Sequence, residues 1–540
     1  MGLARKKKRI SPTDISGGTP RQDPGPSVPG RGFFWCAFFL VLLFSLVLKI
    51  YKAHYIGITY DEAMTFMHYC PDVHTALTNF NSTNNHVLNS VFICWAHKFF
   101  GSYEHFIRIP SLMAGIIFSL ALAYVVYKLI SSPALKVVTL ALVSLVPFIF
   151  DYSFLARGYA FGLAAITSQI AFVLWLLKRK ISYRYWYGPV LVISLLNFIS
   201  FGAMMSSVIT LAAFNLTFIF IGAPRIFRDA PGKKYPLILT GSMIFFLSAA
   251  ASFLLHKGIY KNIFNNDVFL EISSTWQGWS SFVELLKGLL VVEIFSTGRR
   301  GGNILLGAAL ILLSISGCFH LDKFRRAIKG GNWRTYLSNA DRESFLLVVT
   351  GLTAVFMFIY GVALHKSLGL VRNNIFMVPL LLISGAITLD RFAGGLKNKV
   401  LSHAVCFIVF GIFAGVVLHN PPSLYHNGSI GTSISGPLLR KLKAVDPDKI
   451  WMLAFSKEKN LAYMAFTYYR QFGYHFKQAR EQEQPDVVIC TIDEMSSRNE
   501  IPTQPLCLEW DCFRKADSVV LLNKPLPLDK VVISARYKND

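Results

Sequence analysis

The sequence predicts an α-helical polytopic membrane protein of about eleven transmembrane helices with a small carboxyl-terminal α/β domain, and three observations carry that reading. The 540 residues are 53% apolar and only 16% charged, against roughly 25% charged in ordinary soluble chains, and the mean hydropathy is +0.45. Apolar runs near twenty residues, the length that crosses a hydrocarbon core, recur between Phe33 and Leu418. After Pro421 and Pro422 the composition turns to that of a soluble domain. Low polarity and 14% aromatic residues exclude disordered, collagen-like and coiled-coil chains. Eight cysteines in a chain of this size indicate neither a disulfide scaffold nor a zinc array.

Residues 1–32 hold the basic cluster Arg5 to Arg9 and then Gly, Pro and Ser with nothing to bury, which reads as a disordered cytoplasmic tail. Phe33 to Ile50 is a retained first helix, because no small-residue cleavage site follows it. It opens a membrane domain over 33–419, with an outer loop at 51–107. Val87 to Phe100 is short, is interrupted by His97 and Lys98, and suits a helix along the outer surface. Further spans are expected at Ile109 to Ile130, Ala134 to Phe150, Tyr159 to Leu177, two between Tyr187 and Gly222, Leu237 to Leu255, Ile304 to Phe319, Phe345 to Leu364, Ile375 to Leu389 and Val400 to Leu418.

The net charge of +24 would point to nucleic acid in a soluble protein. Here its positions fix topology instead, and no nucleic-acid partner is expected. Lys128, Lys136, Lys178, Arg179, Arg325, Arg326 and Arg391 all fall in even-numbered connections, which become cytoplasmic if the amino terminus is inside. An odd helix count then places the carboxyl terminus outside. The extracytoplasmic domain, 420–540, shows strand-like runs Ile450 to Phe455, Asp486 to Thr491 and Val519 to Leu522, and a helical stretch from Leu461 to Phe472.

Charges are informative on the outer side, where topology disfavours cations. Asp61 and Glu62 stand about ten residues beyond the first helix; they read either as an acidic cap on a surface helix starting near Ala63 or as functional carboxylates. Asp151 ends the third helix with Arg157 six residues on, an interfacial ion pair or a second functional acid. Arg108 opens the second helix, Arg372 precedes the tenth with Lys366 nearby, and Arg299 and Arg300 form a third outer basic site. Carboxylates and cations gathered at the lip of an apolar bundle suit displacement at an activated carbon. A carboxylate takes the acceptor proton while cations neutralise a phosphate leaving group.

The order of these motifs resembles a known class. AspGlu after the first helix, Asn85-His86 opening a short helix that ends in PhePheGly, ArgIleProSer opening the next and AlaArgGlyTyrAla beyond Asp151 look like the GT-C glycosyltransferases. The likeness is to the dolichyl-phosphate-mannose protein mannosyltransferases and the bacterial lipid A aminoarabinose transferase group. It covers about 55 to 180 and again about 370 to 385. It implies a GT-C fold, a polyprenyl-phosphate sugar donor, Asp61 as the acceptor-activating carboxylate with Glu62 beside it, Asp151 as the acid of the second outer loop, and Arg108, Arg157 and Arg372 near the donor phosphate. HisProPro of that class is HisValLeu here, at His86 to Leu88, and His86 is a further candidate for substrate binding.

The expected function is inverting sugar transfer from a polyprenyl-phosphate carrier to a lipid, glycan or protein acceptor at the outer face of a cell membrane, or of the endoplasmic reticulum in a eukaryote. No cofactor is required, although paired carboxylates could instead hold a divalent cation such as Mg²⁺ or Mn²⁺. The rival is a lipid or glycolipid transporter, which needs ionisable residues along a membrane path; Glu293 is the nearest the expected spans offer. Asn81-Ser82-Thr83 and Asn427-Gly428-Ser429 fit the glycosylation pattern. Cys490, Cys507 and Cys512 could form a disulfide, and Asp493 and Glu494 read as a solvated loop.

Overall fold

The computed structural model describes residues 31–55, 58–79, 85–101, 103–179, 187–226, 342–360 and 374–395, isolated positions between 248 and 255, and four short strands after 449. The amino-terminal tail, the spans expected at Ile304 to Phe319 and Val400 to Leu418, and the helix at Leu461 to Phe472 lie outside these residues. So do Arg299, Arg300, Glu293, Lys366, Arg372, both glycosylation sequences, Cys507, Cys512, Asp493 and Glu494.

The described helices are α1 (Arg31–Tyr55), α2 (Tyr60–Tyr69), α3 (Val73–Thr78), α4 (Val87–Phe100), α5 (Glu104–Ile107), α6 (Ile109–Leu129), α7 (Pro133–Leu145), α8 (Pro147–Tyr152), α9 (Tyr159–Leu176), α10 (Tyr187–Ala203), α11 (Val208–Thr217), α12 (Ala223–Ile226), α13 (Arg342–Phe358) and α14 (Met377–Gly395). Four stretches, Gly32–His54, Ile109–Leu129, Tyr159–Leu176 and Met205–Gly222, are long and apolar enough to cross a membrane. The chain is an integral membrane protein. Phe39, Leu40, Leu43, Phe44 and Val47 lie exposed along α1, a surface that hydrocarbon satisfies and water does not.

The span expected at Ala134 to Phe150 is broken. Pro147 lacks a backbone N–H and forces the preceding Val146 out of the helical region (φ −55°, ψ 122°), so α7 stops at Leu145 and α8 starts afresh. Above α11 the chain makes a π turn over Phe218–Gly222 before α12.

Helix α6 packs most extensively on α9; α10 lies against α9, α7 against α1, and α13 against α11. Phe118, Leu122, Leu140, Val143, Leu163, Val173 and Leu174 make up the shared core. Small residues let the backbones meet: a Cβ on Gly115 of α6 would stand 1.8 Å from the Ser153 carbonyl oxygen. Within the bundle Gln169 Nε2 donates to Asn197 Oδ1 at 2.7 Å and Asn197 Nδ2 to Asn215 Oδ1 at 3.1 Å, so side-chain amides clamp α9, α10 and α11 where no water competes.

Strands β1 (Ile450–Met452), β2 (Lys477–Gln478), β3 (Val487–Thr491) and β4 (Ser518–Leu522) form one sheet in the order β2-β1-β3-β4. β1 pairs in parallel with both β2 and β3, while β3 and β4 are antiparallel, Val487 opposite Leu522 and Thr491 opposite Ser518. Three strands fall on the expected runs. The two-residue β2 carries no apolar pattern that sequence could show.

Candidate active site

Helix α2 begins at Tyr60, three residues before the expected start, and its cap is Thr59, not an acid. The Glu62 N–H donates to Thr59 Oγ1 at 3.3 Å and the Thr59 N–H to Glu62 Oε2 at 2.9 Å, a reciprocal capping box. Asp61 and Glu62 therefore occupy the first turn, where the helix dipole favours negative charge. Consecutive helical positions point in different directions, and the two carboxylates meet different partners.

Glu62 is buried at 0% exposure. Arg108, the residue that opens α6, reaches it with two parallel bonds, Nε to Oε1 at 2.7 Å and the second terminal nitrogen to Oε2 at 2.6 Å. Arg108 also donates to the Ala53 carbonyl at 3.1 Å, and the Ala156 N–H donates to Glu62 Oε1 at 2.8 Å. One carboxylate thus ties the end of α1, the start of α2, the start of α6 and the loop between α8 and α9. Burial alone would raise the Glu62 carboxyl, but Arg108 and the two backbone N–H bonds outweigh it and hold it below the ordinary glutamate value.

Asp61 is 8% exposed. Its Oδ2 stands 3.6 Å from Arg157, beyond hydrogen-bond length. Arg157 itself donates to Thr65 Oγ1 at 3.1 Å and to the Asp61 carbonyl at 3.4 Å, and its guanidinium lies 5.9 Å from the Tyr159 ring. His86 contacts the same Tyr159 edge-on at 5.1 Å. Because a carbonyl only accepts, the 3.0 Å contact between His86 Nδ1 and the Ala203 oxygen assigns the Nδ1 proton. Asp61, Arg157, Tyr159 and His86 form one chain of contacts, with Asp61 and His86 at its more exposed ends; that chain is the rim of the candidate site.

The loop that carries Arg157 is fixed on both sides. Asn89 Nδ2 donates to the Ala156 carbonyl at 3.2 Å, and Ser111 Oγ donates to Asn89 Oδ1 at 3.1 Å. A Cβ on Gly158 would fall 2.1 Å from the Ala203 carbonyl oxygen, so the loop leaves no room for a side chain there.

Asp151 belongs elsewhere. Its partner is Lys52 of α1, at 2.7 Å and nearly zero exposure, and not Arg157 as the sequence suggested. One turn earlier on α1, Lys49 donates to Ser119 Oγ at 2.6 Å between the rings of Phe118 and Phe150. Neither lysine is visible as more than the end of an apolar run, since pairing across 99 residues is a property of the fold. The signal that sequence does hold for α2 is ThrTyrAspGlu, the Thr-x-x-Glu pattern of a capping box.

Of the expected site residues, the structure joins Asp61, Arg157 and His86 along the rim, places Glu62 and Arg108 directly behind it, and sets Asp151 with Lys52. Arg372 lies outside the described residues. The Glu62 oxygens are taken by four donors, and among the described residues no three His, Cys, Asp or Glu side chains gather around one point. Between α4, α6, α9 and α10 lies an apolar cavity of about 470 Å³, lined by Phe92, Trp95, Phe99, Met113 and Phe161 among others. Trp95, Phe99 and Met113 open it toward the lipid-facing surface.

Solved structures resemble the chain along most of its length. ArnT from Cupriavidus metallidurans bound to undecaprenyl phosphate is 12% identical with a TM-score of 0.44, over 92% of this chain and 99% of that one. The archaeal oligosaccharyltransferase AglB from Archaeoglobus fulgidus, in complex with an inhibitory peptide and a dolichol-phosphate, is 11% identical with a TM-score of 0.43, over 86% of this chain and 70% of that one. No protein-family model matches the chain, and no curated protein matches it.

Proposed function

We propose that the protein transfers a sugar from a polyprenyl-phosphate donor to an acceptor at the membrane surface by a single inverting displacement. The observation that carries the reading is the contrast in exposure among its acids. Glu62 and Asp151 are sealed at 0% and 1%, whereas Asp61 keeps 8% and a loose contact with a cation.

In that reaction an acceptor hydroxyl or amine attacks the anomeric carbon, the bond from that carbon to the phosphate oxygen breaks, and the acceptor proton passes to Asp61. Polyprenyl phosphate departs with the bond's electron pair. Arg157 stands close enough to orient Asp61 without being bonded to its carboxylate at hydrogen-bond length, so a donor phosphate can compete for its guanidinium. His86 helps to hold the phosphate or the acceptor at the same rim, and Arg372 remains a candidate second cation. The apolar cavity between α4, α6, α9 and α10 suits the polyprenyl tail. The end of the bundle bearing Asp61 faces outward, with the amino terminus in the cytoplasm.

The test is transfer from a panel of radiolabelled polyprenyl-phosphate sugars by purified protein, followed for Asp61→Asn. Turnover should fall roughly 10²- to 10⁴-fold. Release of polyprenyl phosphate separates this reading from a transporter, which moves the lipid intact; movement without cleavage contradicts the proposal.

A further inference from the structure

Two cysteines meet outside the four membrane spans, where the sugar-transfer chemistry has no use for them. Cys70 is the C-cap of α2, and Cys94 lies two turns into α4. The Cys70 thiol donates to the Ser90 carbonyl at 3.2 Å, one turn before Cys94 on the same helix. The Cys94 thiol reaches back to the Tyr69 and Asp72 carbonyls, each at 3.7 Å, and these two residues flank Cys70 along the chain. Each sulfur thus touches backbone beside the other cysteine, so both side chains enter one gap between the end of α2 and α4. They are buried at 2% and 5% exposure and are free thiols in this structure.

A small apolar filler would account for the burial of either thiol alone. It does not account for the reciprocal placement, nor for what holds the segment between them. Of the six residues of α3 only Ala76 is buried, so little apolar area fastens that helix. Asn85 donates to the Ala76 carbonyl at 3.0 Å and to the Asn79 carbonyl at 2.9 Å, neutral bonds that each contribute modestly. Burial, and then the Cys94 thiol beside it, push the Cys70 thiol above its ordinary value. A thiol so protected reacts poorly once folded, and a bond between the two would form before α2 closes on α4.

We propose that Cys70 and Cys94 become joined by a disulfide that closes the chain over α3. The assignment rests on the outward orientation given above, since the compartment on that side is oxidising; it does not depend on sugar transfer. The thiolate of one cysteine attacks a sulfur of a disulfide donor, a thiol oxidoreductase or oxidised glutathione, and forms a mixed disulfide. The second cysteine's thiolate then displaces the donor's remaining sulfur. One protein S–S bond forms, and the donor leaves as two thiols that carry the electron pair and the two cysteine protons. The bond ties α2, which carries Asp61, to α4, which His86 opens, and so holds two members of the rim in one piece.

The measurement is peptide mapping of the full-length protein, extracted from its membranes in N-ethylmaleimide and denatured without reductant. Peptides holding residues 70 and 94 should be recovered linked, with neither cysteine carrying maleimide until reduction. Dithiothreitol should lower the unfolding temperature in detergent by several degrees, and Cys70→Ser, Cys94→Ser and the double variant should all unfold at that lower temperature and lose the response. Should the serine variants not fold, the linked peptide from the parent decides alone. Maleimide on both cysteines without reduction overturns the proposal. Thr78→Cys, exposed on α3, then separates the causes. Labelled in intact cells by an impermeant maleimide, it leaves the orientation standing and removes the cross-link alone; unlabelled, it removes the orientation and the cross-link with it.

Discussion

Glu62 and Asp61 share one helical turn, yet Glu62 closes on Arg108 through bonds of 2.7 and 2.6 Å with no exposure, whereas Asp61 meets Arg157 at 3.6 Å and reaches the surface. Each acid has an arginine, so charge pairing alone does not separate them. Exposure and bond length do. Both Glu62 oxygens accept short bonds that reach across elements, which makes it a bracket for the fold, whereas Asp61 keeps 8% exposure and a longer contact with its arginine.

The largest stability effect should follow from breaking the bracket. Arg108→Ala leaves Glu62 buried and unpaired, and thermal unfolding in detergent should show a loss of about 3–5 kcal/mol. Asp151→Asn breaks the buried Lys52 pair and should cost a comparable or smaller amount, with turnover reduced only in proportion to folded protein. Turnover abolished in well-folded Asp151→Asn would move that acid into the chemistry.

A smaller effect is expected from the cap, with Thr59→Ala costing about 1 kcal/mol in the same unfolding assay. Acid titration sharpens the comparison further. Because the Glu62 carboxyl is held below its ordinary value when folded, its contribution is fully present above the unfolded value and is lost as pH falls through the folded one. Relative to the parent, Glu62→Gln should therefore flatten the acid limb of the stability profile; an unchanged limb would mean that other acids govern it.

Hydropathy made most of the described membrane helices legible, because a run that must satisfy its backbone inside hydrocarbon declares its length. Val87–Phe100 and the starts at Ile109 and Tyr159 coincide with the observed helices. The break at Val146 is announced only by Pro147, which a continuous apolar run conceals. For the site, sequence could gather Asp61, Arg157 and His86 by motif order, but could not pair them. Whether Arg108 or Lys52 serves Glu62 or Asp151 depends on contacts across 46 and 99 residues. Lys49 and Lys52 were hidden for the same reason: at the end of a span, a buried lysine and a topological one look alike.

The most direct test sets Asp61→Asn beside Glu62→Gln, with unfolding temperature and single-turnover sugar transfer measured on each in equal folded amounts. Asp61→Asn should unfold close to the parent and lose roughly 10²- to 10⁴-fold in transfer, while Glu62→Gln loses stability first. Near-normal transfer by a well-folded Asp61→Asn would contradict the account.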